Sequence, residues 1–282
     1  MTDTQRSFLT RLLTSYALFF LVLHFFQYAT PSRLSGPPLF GLGMDVTYWL
    51  YKLSGLPYLI VYNRVGAVIF DLLLFSSGVF VLFFPLRRMG VIVFSVLLSV
   101  YAITFNMFLM HHVHIMTGMM IVFVPFWFAD NEKCLLLWQG VRYYTCYIYT
   151  MAFLWKTCIG NSFYALQQGS LTFKSNLVEY MYHNPDGLFT VFCRFCIRHE
   201  WLLNGGEKLV MLLEGLMVIG FFTKKWDKLL FWFPITIHVA TYFFSDVMFL
   251  ELLIIDFSLL SLRQLDWLRG WHIKKLRPAS LL

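Results

Sequence analysis

Apolar runs about as long as a bilayer-crossing helix recur along the whole chain, for example LLLFSSGVFVLFF at 72–84 and VIVFSVLLSVYAITF at 91–105. A helix needs roughly 20 apolar residues to cross about 30 Å of hydrocarbon. Read on that length, the sequence predicts eight spans, at 12–29, 62–85, 89–108, 112–129, 134–159, 207–223, 228–245 and 246–262. The expected fold is all-α, a polytopic membrane helical bundle forming one domain over 1–282. Composition agrees: charged residues make up only 13% of the chain, against about 25% in an ordinary soluble domain.

The net charge of +7 does not point to nucleic acid. The basic residues cluster in short segments between apolar runs, as membrane orientation requires. Residues such as Arg6, Arg11, Arg87, Arg88, Lys224, Lys225 and Lys228 fall at one set of span ends. Arg33, Lys52, Lys174, Arg194 and Arg198 fall at the other. The richer set marks the cytoplasmic side, so both termini are expected there and the span count is even. The expected location is a bacterial inner or cell membrane. The loop PPLFGLGMDVTYWLYKLSGLP reads as interfacial, 160–206 as a long outer loop, and 263–282 as a basic amphipathic cytoplasmic tail on the lipid surface.

Ionisable residues inside spans are costly and mark functional candidates. In the predicted orientation Lys156, His24, His114, His238, Glu214, Asp71 and Glu251 reach similar depth near the outer face. One shared outer-leaflet pocket is the expectation. The plainer readings are that Lys156 snorkels, that His111 and His112 are interfacial, and that His238, Glu214 and Asp256 are hydrogen-bonded core groups. Lys156, His238 and His114 are the candidate catalytic residues. Trp155, Tyr149, His112 and Glu214 are candidates for holding a flat apolar ligand. A partly desolvated lysine can serve as a neutral base.

Three other patterns need weighing. HHVHIM is too isolated for a di-iron histidine box, and no spacing demands a haem, so no metal is expected. Cys193 and Cys196 form C-x-x-C in the outer loop beside Arg194 and Arg198. They are candidates for thiol–disulfide exchange, provided the arginines lower the thiol pKa.

The segments YIYTMAFLWKTCIGNSFYALQQG, LVMLLEGLMVIGFF and ITIHVATYFFSDVMFLELLIIDF carry a resemblance. Together they resemble the HTTM family, the membrane domain shared with vitamin K-dependent gamma-carboxylase, over about residues 8–265. The length is similar to that of small bacterial members such as the sporulation-delaying protein B type. The resemblance implies that Lys156 deprotonates a reduced, vitamin K-like quinone. It matches His238 and Glu214 to family positions and puts another histidine among His111, His112 and His114. It also implies a small secreted peptide as the partner that is modified or matured. Two alternatives stay open: a non-catalytic peptide- or lipid-binding chaperone or immunity factor, and a redox partner acting through Cys193 and Cys196.

Overall fold

The computed structural model describes residues 1–35, 46–109, 113–159, 168–245, 250–267 and 270. Among these every regular element is helical. His111 and His112 lie outside the described residues, as do the side chains of His114 and Glu251 and residues 271–282 of the expected tail. Three segments are long and apolar enough to cross a membrane: Asp3–Arg33, Arg64–Phe83 and Arg88–Phe108.

The chain divides into two compact units, Met1–Val141 with Ser261–Leu282, and Arg142–Leu260. The first unit begins with α1 (Asp3–Phe26). A capping box starts it, Thr2 accepting from the Gln5 amide while the Gln5 side chain accepts from the Thr2 amide. A short α2 (Val46–Leu53) follows. Next comes α3 (Arg64–Phe83), whose N-cap Asn63 accepts from the amides of Val65 and Gly66. A tight turn leads to α4 (Arg88–Phe108), which packs on α3. Gly78 permits the close approach of three helices. A Cβ there would lie 2.7 Å from Leu18 of α1 and 2.9 Å from Phe94 of α4.

The fourth predicted span, 112–129, is not one continuous helix among the described residues. Here α5 (Val113–Ile121) gives way to a 3-10 turn at Val124–Trp127, with Pro125 in its first turn. Proline has no N–H to continue an α-helix and fixes its own φ, which suits it to this turn. Phe123 packs edge-to-face on Phe94, 5.2 Å between centroids. The division between units falls within α6 (Asn131–Leu154), which a π-helical turn, Trp155–Ile159, extends.

Among the described residues the second unit holds the later part of α6, six further α-helices and a 3-10 turn at Phe257–Leu259. The long outer segment carries α7 (Gln168–His183) and α8 (Leu188–Arg198). Then come α9 (Glu200–Leu216), α10 (Ile219–Phe222), α11 (Asp227–Ser245) and α12 (Leu250–Asp256). Both α7 and α11 pack on α9. Gly169 lets α7 approach the α9 backbone, since a Cβ would lie 2.5 Å from the Leu203 carbonyl oxygen. At the same contact Asn204 accepts a hydrogen bond from the Ser170 amide at 2.9 Å. That bond satisfies one of the first-turn N–H groups of α7 that have no helical acceptor.

Candidate functional site

Lys156 sits in the π-helical turn at the end of α6. Such turns insert one extra residue per turn and are frequent at functional sites. Its ammonium donates to Glu214 on α9 at 2.5 Å. The lysine side chain is 33% exposed and the glutamate 6%, so the pair joins a buried carboxylate to a partly wet cation. The second oxygen of Glu214, Oε2, is buried and has no hydrogen-bond partner. A carboxylate has about four acceptor positions, so this one is under-satisfied and its charge leans on Lys156 alone.

Beside the pair lies a cavity of about 430 Å³. Lys156 and Trp155 form part of its wall, with Glu207 of α9 and Thr236 and Thr241 of α11. Glu207 precedes Glu214 by seven residues, two helical turns, which puts both on one face of α9. The rest of the lining is mainly apolar, Leu209, Val210 and Leu213 among it. Volumes of 300–1,000 Å³ with few polar groups are typical of small-molecule sites.

His238 is not among the residues lining this cavity. Thr236, Ala240 and Thr241 line it, and around α11 His238 lies more than about 90° from Thr236 and Ala240, beside Thr241 at the edge of that face. There it meets Tyr149 of α6, with Nε2 3.0 Å from the hydroxyl. The same hydroxyl donates to Asp256 of α12 at 3.2 Å. A phenol has one proton, so with that proton on Asp256 the Nε2–H of His238 donates to the phenol oxygen. All three residues are buried. Tyr149, expected to hold a ligand, instead ties three helices together.

Within each unit taken by itself, the described residues of the expected outer-leaflet set make their own hydrogen-bonded clusters, and the side chains of His114 and Glu251 lie outside the described residues. Within the first unit, Nδ1 of His24 is hydrogen-bonded to the Tyr101 hydroxyl, and the imidazole stacks on Phe105 at 4.5 Å. Asp71 accepts from the Ser32 amide at 3.2 Å and fixes the turn after α1. Lys156 and Glu214 form the second cluster, and Tyr149, His238 and Asp256 the third. Of the residues proposed as catalytic or ligand-binding, Lys156 and Trp155 line the cavity and Glu214 stands behind Lys156.

Cys193 and Cys196 occupy the middle of α8, buried against Phe173, Leu177 and Leu203. Both are free thiols. Arg194 and Arg198 lie on the exposed face of the same helix. Burial pushes both thiols above the ordinary range, opposite to the lowering that thiol exchange requires. The C-x-x-C spacing here is a helical i, i+3 pair facing an apolar core.

Two features escaped the sequence reading. Arg142 of α6 makes a two-pronged contact with Asp227 at the start of α11, Nε to Oδ2 at 2.7 Å and Nη2 to Oδ1 at 2.5 Å. It also donates to the Thr223 carbonyl at 3.1 Å. A lone arginine inside an apolar run requires a partner, and Asp227 is the single acid within KKWDK. That signal was available. Glu207 was missed because it opens the predicted span and reads as a boundary residue. Comparison with family models, curated proteins and solved structures gave no match.

Proposed function

We propose that this chain is a multi-pass membrane protein of HTTM type, with eight spans and cytoplasmic termini, whose Lys156–Glu214 pair does acid–base work on a small amphipathic ligand. The observation that carries this reading is the ion pair itself, joining a π-helical turn to a cavity of ligand size. Supporting it are the three helices able to cross a membrane.

Lys156 paired with Glu214 is an ammonium and cannot accept a proton. Transfer of one proton along the 2.5 Å contact leaves a neutral amine at the cavity and a neutral carboxyl behind it. Removing charge from a desolvated pair lowers the cost of burial. The amine can then accept a proton from an acidic hydroxyl in the cavity. Thr236 and Thr241 offer hydrogen bonds to polar atoms of the ligand, and Trp155 with the leucines offers an apolar wall. A reduced quinone fits the volume and the mixed lining, and when bound it would supply an acidic hydroxyl and reducing equivalents. The proposed substrate is a small secreted peptide, modified or matured at the outer face.

A second reading has support from the same contact. Because Glu214 pairs directly with Lys156 at the cavity wall, the contact also suits a non-catalytic protein that binds a peptide or lipid through its cavity. The experiment that separates them uses the full chain in nanodiscs with a reduced menaquinone and dioxygen, the proposed acceptor of the quinol's two electrons. Consumption of the quinol by wild type, abolished in Lys156→Met with binding retained, supports the base. Quinol binding without consumption supports the binder. Failure of the quinol to bind removes the quinone from both.

A further inference from the structure

Between Asp71 and Asp130 the chain has no carboxylate, and Arg87 and Arg88 are its only permanent charges there. Both fall where α3 turns into α4, two of the three helices able to cross a membrane. Such a turn lies at the depth of the lipid headgroups. Both arginines are exposed, and among the described residues neither has a carboxylate partner. Arg11 of α1 adds a third guanidinium at the same end of α3, its Nε donating to the Leu82 carbonyl at 3.1 Å.

The arginines border a cleft of about 550 Å³. From α3 the cleft takes Ser77 and Phe80, and from α4 Gly90 and Val93. Gly90 shapes it: a Cβ would stand 2.6 Å from the Phe80 ring, so only glycine lets that ring lie over the first turn of α4. Phe80 is held from its other side by Phe84, 5.0 Å between centroids. The cleft is thus cationic at one end and apolar along its length. Flanking Phe83 and Met89 are 71% and 69% exposed, as side chains in lipid would be.

We propose that this cleft binds an anionic phospholipid, its phosphate held by Arg87 and Arg88 and an acyl chain lying along Phe80 and Val93. Guanidinium groups match phosphate with paired hydrogen bonds. With no carboxylate partner among the described residues, both guanidiniums are open to the lipid. A water-soluble phosphate would use the arginines and leave the apolar walls uncovered, so the lining favours a lipid. This site lies in the first unit and depends on α3 and α4 crossing the bilayer. It does not depend on any chemistry at Lys156.

The test is lipid retention by the full chain, read by native mass spectrometry after exchange from bilayers containing phosphatidylglycerol and phosphatidylcholine together. The expected result is selective retention of phosphatidylglycerol by wild type. Arg87→Gln with Arg88→Gln should lower that retention by about thirtyfold, from the loss of two cationic contacts. Arg87→Lys with Arg88→Lys keeps the charge, should fold as wild type, and should retain an intermediate amount. Glycerol 3-phosphate should not compete. Equal retention of both lipids by wild type would overturn the proposal. So would unchanged retention in the glutamine variant, or displacement by glycerol 3-phosphate, which would mark a site for soluble anions.

Discussion

Two ion pairs share α6 and differ in geometry and exposure. At Arg142 both carboxylate oxygens of Asp227 are engaged, a backbone carbonyl takes a further N–H, and the side chains are 4% and 13% exposed. At Lys156 one carboxylate oxygen is engaged, the other is orphaned, and the cation reaches a cavity. The first pair is bidentate and has geometry suited to fixing α6 against α11, although Nη1 of Arg142, like Oε2 of Glu214, is buried without a hydrogen-bond partner among the described residues. The second is open and under-satisfied, with room for a ligand. Planar, forked guanidinium suits the bidentate pair, and a compact ammonium able to lose its proton suits the open one. The backbone follows the same division, regular α-helix at Arg142 and a π-helical turn at Lys156.

Breaking the bidentate pair should have the largest effect on stability. Arg142→Met leaves Asp227 largely buried and unpaired, at a cost of about 3–5 kcal/mol. Thermal unfolding in detergent measures it. The double variant Arg142→Met, Asp227→Leu should recover most of the loss, because an apolar pair replaces a buried charge.

Next comes the buried Tyr149 hydroxyl. Tyr149→Phe leaves His238 and Asp256 without their shared partner and should cost about 1–3 kcal/mol. Ligand binding should be unchanged, since His238 is not among the residues lining the cavity. If this variant instead abolishes binding with the fold intact, His238 belongs to the site after all.

Lys156→Met should cost less, about 1 kcal/mol, because the cation is a third exposed and screened and a single side-chain hydrogen bond is lost, where Arg142 makes several. Its effect should fall on ligand chemistry. A stability loss equal to that at Arg142 would erase the distinction between the two pairs.

The smallest effects concern the thiols. Cys158, exposed in the π-helical turn, should be alkylated in the native protein, whereas Cys193 and Cys196 should react only on unfolding. Since burial raises their pKa values, their contribution to stability is complete below the ordinary thiol range. It declines as pH rises, because the unfolded chain ionises first. Replacing both with alanine should flatten the alkaline part of the stability profile.

Helix content was legible because apolar runs of spanning length leave few alternatives. The break after α5 was signalled by Pro125, yet hydropathy counted the whole stretch as one span. Lys156 and Glu214 were legible as costly charges. Their pairing to each other was not, since sequence gives depth along a helix and says nothing of which helix stands opposite. His238 shows the limit most clearly. Its depth matched Lys156, but its azimuth on α11, two residues from Thr236, sends it to Tyr149. The burial of the cysteine pair was hidden for a related reason, because the C-x-x-C spacing does not show whether the thiols are accessible. On α8 the same spacing turns both inward.

Central to the account is the proposal that the Lys156–Glu214 pair at the cavity wall transfers a proton. The most direct measurement is quinol binding and consumption by Glu214→Gln, compared with wild type and Lys156→Met in the same nanodiscs. With Glu214 no longer able to take its proton, Lys156 should still permit quinol binding while consumption falls at least about a hundredfold, the scale on which a positioned acid–base group acts. Consumption at the wild-type rate in either variant would contradict the account.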